Sequence, residues 1–303
     1  MLFELVLACG QPIVQSLDDV QALLATAKDV NLVDQSAAFG ARAEGLGFAF
    51  AAGYPLAVRR LTGDARPMAL AVTEARGNRP VDIETTMRRD VNGIATITGE
   101  KTFVTLADRA ESCLVLVRDG DAPSSSDGKV ALRLVLAPLR ETSVSIAMMP
   151  PLPIASEVAH GQVTFTNARV LKLFDGDGWN DYGRPFRTIE DVAVMSASLG
   201  MVFRITRENA AELAMRAFAL LVTLREVERL GFQDASAHVV LTGALAMASS
   251  LFAEVSERAP EGVRAKFQSD LPLLSIANKA RALRASRAWQ SVVDSSINRA
   301  KDG

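Results

Sequence analysis

The sequence predicts an α+β protein in three parts: a small N-terminal helical domain over 1–66, a central β-barrel or sandwich over 67–175, and a C-terminal antiparallel helical bundle over 176–303. Two changes of pattern carry this reading. Helical apolar spacing gives way to β-branched alternation near Pro67, and helical spacing returns at Thr188. No repeat of the solenoid kind interrupts the order.

The first helix is set by Ser16 as a cap, Asp19 three residues on, and apolar side chains at Leu17, Val20, Leu23, Leu24 and Ala27, which keep one face buried. The Ala-rich stretch from Asp34 to Arg60 is punctuated by Gly40, Gly45, Gly47, Gly53 and Pro55, which predicts two shorter helices. Strands are expected at Ala95-Thr96-Ile97-Thr98, Cys113 to Val117, Leu132 to Leu136 and Val163-Thr164-Phe165, with a turn at Asn92-Gly93. Asp119 to Lys129, with Pro123 and Ser124-Ser125-Ser126, reads as an exposed hairpin connection. Long helices follow at roughly 188–230, 234–258 and 270–298, broken at Gly231 and between Pro260 and Gly262.

A 303-residue chain that is 49% hydrophobic and 22% charged can bury a large core. Its formal charge of -2 supplies no basic field, which argues against a nucleic-acid partner. The apolar run from Met1 to Cys9 is too short to cross a bilayer and follows no Lys or Arg, so a cytoplasmic protein without a membrane partner is expected. Cys9 and Cys113 read as reduced and buried, and the His160 and His238 spacing fits no metal motif, so no metal is expected. His238 reads as a core or interface histidine, and His160 as a turn residue before a strand. Lys279, Arg281, Arg284 and Arg287 read as a solvated helix face, with a nucleotide phosphate or an acidic partner surface as the alternative.

Two segments carry more specific information. Ala71-Val72-Thr73-Glu74 and Gly99-Glu100-Lys101-Thr102-Phe103-Val104-Thr105, with Thr85-Thr86 and Asn92-Gly93 between them, resemble the flavin-contacting strands of the acyl-CoA dehydrogenase superfamily. Val163 to Val170 followed by Asp175-Gly176-Asp177-Gly178-Trp179 is similar to the strand and turn that close that family's middle domain. Arg184 to Asp191 resembles a short, divergent bacterial branch. The similarity covers roughly Phe39 to the end.

The resemblance implies an FAD-dependent oxidoreductase that removes the α proton and β hydride of an acyl-CoA thioester. It places Thr73 at the flavin edge, Phe103 against the ring in place of the usual tryptophan, and Thr105 as a donor toward N5. A threonine-rich strand with one Phe is also what a half-buried strand looks like. The resemblance offers Glu190, ahead of Gly200, as the base; equally, Thr188 reads as an N-cap that sets Glu190 and Asp191 in a first helical turn. Arg216 and Phe218, in Met215-Arg216-Ala217-Phe218-Ala219, stand for the family's pair that reaches the cofactor pyrophosphate across a subunit interface, with Arg216 one place out of register.

The chain also departs from the family. Gly77-Asn78-Arg79-Pro80 replaces a Gly-Ser-Asp run, and Pro80 brings no N–H donor. The usual C-terminal glutamate motif and the glycine-rich adenine segment are not found before Gly303. Three functions therefore stay open: an FAD-dependent acyl-CoA dehydrogenase, a non-catalytic partner subunit of the same fold, or an acyl-CoA-binding protein. Because flavin sites in that family are completed by a neighbouring subunit, the resemblance implies a homo-oligomer, a dimer first, or, for the partner-subunit reading, a heteromer with a related subunit.

Overall fold

The computed structural model describes residues 14–27, 31–64, 66–122, 130–259 and 261–302, with side chains to 295. The Met1 to Cys9 run, Pro123 to Lys129 and Pro260 lie outside the described residues. The chain divides into a helical unit, Met1–Ala57 with Pro153–Glu157 and Thr188–Gly303, and a β unit, Val58–Leu152 with Val158–Arg187.

In the helical unit, helix α1 (Leu17–Ala25) opens with the expected capping box: Ser16 Oγ accepts from Asp19 N–H while the Asp19 carboxylate accepts from Ser16 N–H. The Ala-rich stretch does form two helices, α2 (Leu32–Gly40) and α3 (Leu46–Thr62). Asn31 caps α2. Glu228 adds its carboxylate, accepting from the N–H groups of Leu32 and Val33 at 3.1 and 3.2 Å.

The C-terminal helices are α4 (Arg184–Thr206), α5 (Ala211–Leu230), α6 (Ala235–Arg258), α7 (Glu261–Asp270) and α8 (Asn278–Asp302). Where one helix was expected over 188–230, the chain breaks between Thr206 and Ala211. No Gly or Pro marks that break, so pattern reading ran through it. Helices α5 and α6, joined by Gly231 to Asp234, pack against each other, and their buried residues include Leu220, Leu224, Val227, Leu241, Ala244 and Ala248. Among the described residues α6 is the one helix long and apolar enough to cross a membrane.

Three glycines set how closely the helices approach. A Cβ on Gly200 of α4 would stand 2.0 Å from the Ala37 carbonyl oxygen of α2, and one on Gly40 would stand 1.9 Å from that of Ala197. Gly53 of α3 meets Ala193 in the same way at 2.9 Å. Backbones touch here because no side chain intervenes.

The β unit is built on one mixed eight-stranded sheet, in the order β6 (Val144–Met148), β7 (His160–Arg169), β3 (Ala95–Thr105), β2 (Thr86–Arg89), β4 (Ser112–Asp119), β5 (Leu132–Pro138) and β8 (Lys172–Leu173), with β1 (Met68–Ala71) pairing parallel to β4. The path ends at β6 and β8 and hydrogen bonding does not close it into a barrel. Its core is Met87, Ile97, Val104, Val115, Val135, Val163 and Phe165 with their neighbours. The Asn92-Gly93 turn joins β2 to β3, with Gly93 at φ +81° and the Asp90 carboxylate accepting from the N–H groups of Asn92 and Ile94. Cys113 is a buried, free thiol whose pKa burial pushes up to about 12.

Candidate functional site

The two segments singled out in the sequence lie side by side in the β unit. Thr102 N–H donates to the Thr73 carbonyl at 2.8 Å, and beneath them Lys101 Nζ donates to Glu74 Oε1 at 2.7 Å and to the Val72 carbonyl at 3.3 Å. The Lys101 side chain is fully buried and that of Glu74 is 7% exposed. The Glu74 carboxylate also accepts from the N–H groups of Glu84 and Thr85, so the pair's lone pairs are well used. The sequence reading missed this pair, since nothing in a strand pattern singles out a lysine that turns inward.

Burial lowers the Lys101 pKa to about 8 although Glu74 acts to raise it. Burial also acts to raise Glu74, but the Lys101 charge and the hydrogen bonds outweigh it and hold the carboxyl below its ordinary value. The pair is therefore ionised at neutral pH. Unfolded Lys101 titrates at its ordinary 10.5, so between about pH 8 and 10.5 the unfolded chain binds the extra proton and this group's contribution to stability rises with pH. Denaturant midpoints of the wild type are expected to rise across that window relative to Lys101→Met, and parallel profiles would contradict the assignment.

Immediately after Lys101 the strand bulges. Lys101 pairs with Val163 and Val104 with Gly161, so three steps on β3 face two on β7. The extra residue places Phe103 at φ +53°, a left-handed conformation uncommon for a bulky side chain, and leaves its ring half exposed. Past the bulge, Val104 and Thr105 are both buried. Thr105 pairs in register with His160, whose ring stands edge-on to Phe103 at a centroid distance of 6.4 Å. His160 thus opens a strand, and burial lowers its pKa and favours the neutral imidazole. Thr73, Phe103 and Thr105 share this end of β3 and its neighbour. Phe103 is the exposed member of the three, and Thr105 is buried.

The loop that follows is closed on itself. Glu74 and Gly77 exchange backbone hydrogen bonds at 2.9 and 3.0 Å. Arg79 donates its backbone N–H, Nε and Nη2 to the Asp82 carboxylate, and that guanidinium bond holds Asp82 at a pKa of about 2. Arg79 therefore turns its fork into its own loop.

The other candidates lie on the helical unit. Helix α4 begins at Arg184, after a π-helical turn over Gly178–Gly183 capped by Asp177, whose Oδ1 accepts from the N–H groups of Trp179 and Asn180. Thr188 is thus not the N-cap expected of it: it lies past the first turn, buried. The shift has a physical cause in the Asp177-Gly178 turn, which supplies a better cap than a threonine inside a continuing apolar face. Glu190 is half buried on α4. Its neighbour Asp191 binds two arginines of α8: Arg281 Nε and Nη2 donate at 2.9 and 2.7 Å, and Arg284 Nη2 at 2.5 Å. Arg281 and Arg284 are therefore not the solvated face the i, i+3 spacing suggested, their side chains being 17% and 18% exposed. Arg216 forms a two-pronged pair with Glu254 at 2.6 and 2.8 Å, and Phe218 packs on Phe203 with ring centroids 6.3 Å apart. Among the described residues no group of three or more His, Cys, Asp or Glu side chains is placed to hold a metal.

No family model matches the sequence, and no curated protein matches it. Solved structures do. The FAD complex of PigA matches 91% of this chain and 90% of its own with a TM-score of 0.68 at 12% identity. Butyryl-CoA dehydrogenase from Megasphaera elsdenii matches 85% of this chain and 81% of its own at 0.63 and 12% identity. The chain has the acyl-CoA dehydrogenase fold. The prolyl acyl carrier protein oxidase AnaB shares this fold as well, at a TM-score of 0.64 and 11% identity over 89% of each chain. In the acyl-CoA dehydrogenase fold the arrangement of helices, sheet and helices is common property, so what distinguishes this chain rests on its own side chains.

Proposed function

We propose that this chain is an FAD-dependent oxidoreductase that dehydrogenates an acyl thioester, acyl-CoA in the first instance. The observation that carries the reading is the bulge at Phe103: an aromatic residue held at positive φ, half exposed, with Thr105 two residues on along β3 and Thr73 hydrogen-bonded to the adjoining Thr102, where a half-buried structural strand would need no strain. Three of the solved neighbours named above are a CoA dehydrogenase, an acyl carrier protein oxidase and an FAD complex, which supports FAD and a thioester as the chemistry.

In this reading Phe103 covers one face of the isoalloxazine, Thr73 meets its edge and Thr105 donates toward N5. Bound FAD supplies a hydride acceptor. Glu190, half buried on α4, acts as the base that takes the thioester's α proton. Arg216 and Phe218 serve the cofactor of a second subunit. Exposed Met215 and Val222 on α5 and Met247 on α6 supply apolar area for a homo-oligomer or for a heteromer with a related subunit.

One observation favours the second reading, a non-catalytic partner subunit or an acyl-CoA-binding protein: Arg79 and Arg216 spend their guanidinium forks on Asp82 and Glu254. Anaerobic addition of acyl-CoA thioesters to the FAD-loaded protein separates the readings. Bleaching of the visible flavin band is expected in the wild type and is lost in Glu190→Gln, with an unchanged unfolding midpoint. Bleaching retained in Glu190→Gln removes Glu190 as the base, and a wild type that never bleaches supports the non-catalytic reading.

A further inference from the structure

We propose that the helical unit carries a second binding site, for a small amphipathic carboxylate, in the cavity between α6 and the segment from Leu271 through α8. The cavity is about 430 Å³, within the range of small-molecule pockets. Its walls are largely apolar, with Met195, Leu245, Phe252 and Leu274 among them, and its polar lining includes Arg281 and the Asn278 side chain.

Charge decides the occupant. Arg281 and Arg284 share the Asp191 carboxylate, so two guanidiniums face one bonded anion at a site where water reaches them poorly. Arg281 further donates Nη1 to the Leu274 carbonyl and to Asn278 Oδ1, and all three residues line the cavity. Arg284 Nε, one turn on, is buried with no hydrogen-bond partner. A guanidinium carries five N–H donors, and the hydrogen bonds they make leave Arg281 with one and Arg284 with three to spare. A carboxylate at Arg281 adds the second negative charge, and an alkyl or aryl body fills the apolar remainder. Neither a bare ion nor an uncharged hydrocarbon satisfies both halves of the site.

Isothermal titration calorimetry of the full chain with octanoate tests this, with acetate and 1-octanol as probes that each lack one half. Octanoate is expected to bind at least about tenfold more tightly than either. Arg281→Gln removes two of the bonds to Asp191, so the decisive variant is Ala253→Phe, which fills the cavity from its exposed wall and leaves the ion cluster intact. Binding should disappear there with an unchanged unfolding midpoint. The proposal is overturned if octanoate does not bind, if octanol or acetate equals it, or if Ala253→Phe binds octanoate as the wild type does. That last outcome would place the ligand at the thioester site instead, so this test fails separately from the redox reading.

Discussion

Gly200→Ala is expected to destabilise the protein by about 3 kcal/mol or more, although alanine is favoured over glycine in a helix by about 1 kcal/mol. The added methyl is the whole problem: its position is 2.0 Å from the Ala37 carbonyl oxygen, a backbone atom that cannot rotate away. Helices α2 and α4 would have to part, and the reciprocal contact of Gly40 with Ala197 at 1.9 Å would part with them. The control is Gly243→Ala in the middle of α6, where nothing lies within 4 Å of the new methyl and a gain of about 0.5–1 kcal/mol is expected. Equilibrium urea unfolding of both variants reads the difference. Stabilisation by both would mean that the α2–α4 crossing is not as close as described.

Asp191→Asn should cost about 3 kcal/mol. The carboxylate is 7% exposed and accepts three hydrogen bonds from Arg281 and Arg284, and the amide that replaces it neutralises neither guanidinium and puts an N–H donor where one acceptor oxygen stood. Arg284 also donates to Thr188 Oγ1 at 3.3 Å, so the α8 arginines grip α4 at two positions one turn apart. The loss should show in thermal unfolding. A double-mutant cycle with Arg281→Gln should return a coupling energy well above that of an exposed pair such as Arg229 with Glu226. A coupling near zero would show the cluster to be a surface feature.

The order of helices, sheet and helices was legible because periodicity survives burial: Ser16 with Asp19, the β-branched runs of β4 and β5, and the Asn92-Gly93 turn each state their local structure outright. What stayed hidden depends on contacts distant in sequence. Gly40 reads as a helix breaker and Gly200 as a marker of position, yet both are there for a backbone crossing 160 residues apart in sequence. The arginines of α8 have a solvated helix's spacing, and only the fold brings Asp191 to them. Lys101 turned inward because Glu74 lies on the adjacent segment, which a single strand cannot announce. At the candidate site the types Thr73, Phe103 and Thr105 were readable, while the bulge that aims Phe103 outward was not, because φ +53° at a phenylalanine contradicts its intrinsic preference.

The most direct test of the flavin reading is a titration of FAD with wild type and with Phe103→Gly, followed by FAD fluorescence and the visible band. The wild type should quench FAD and resolve its band, and Phe103→Gly should bind at least about tenfold more weakly while its unfolding midpoint rises, because glycine relieves about 1 kcal/mol of backbone strain. FAD that stays free in the presence of wild type, or that binds equally well when the ring of Phe103 is gone, would contradict it.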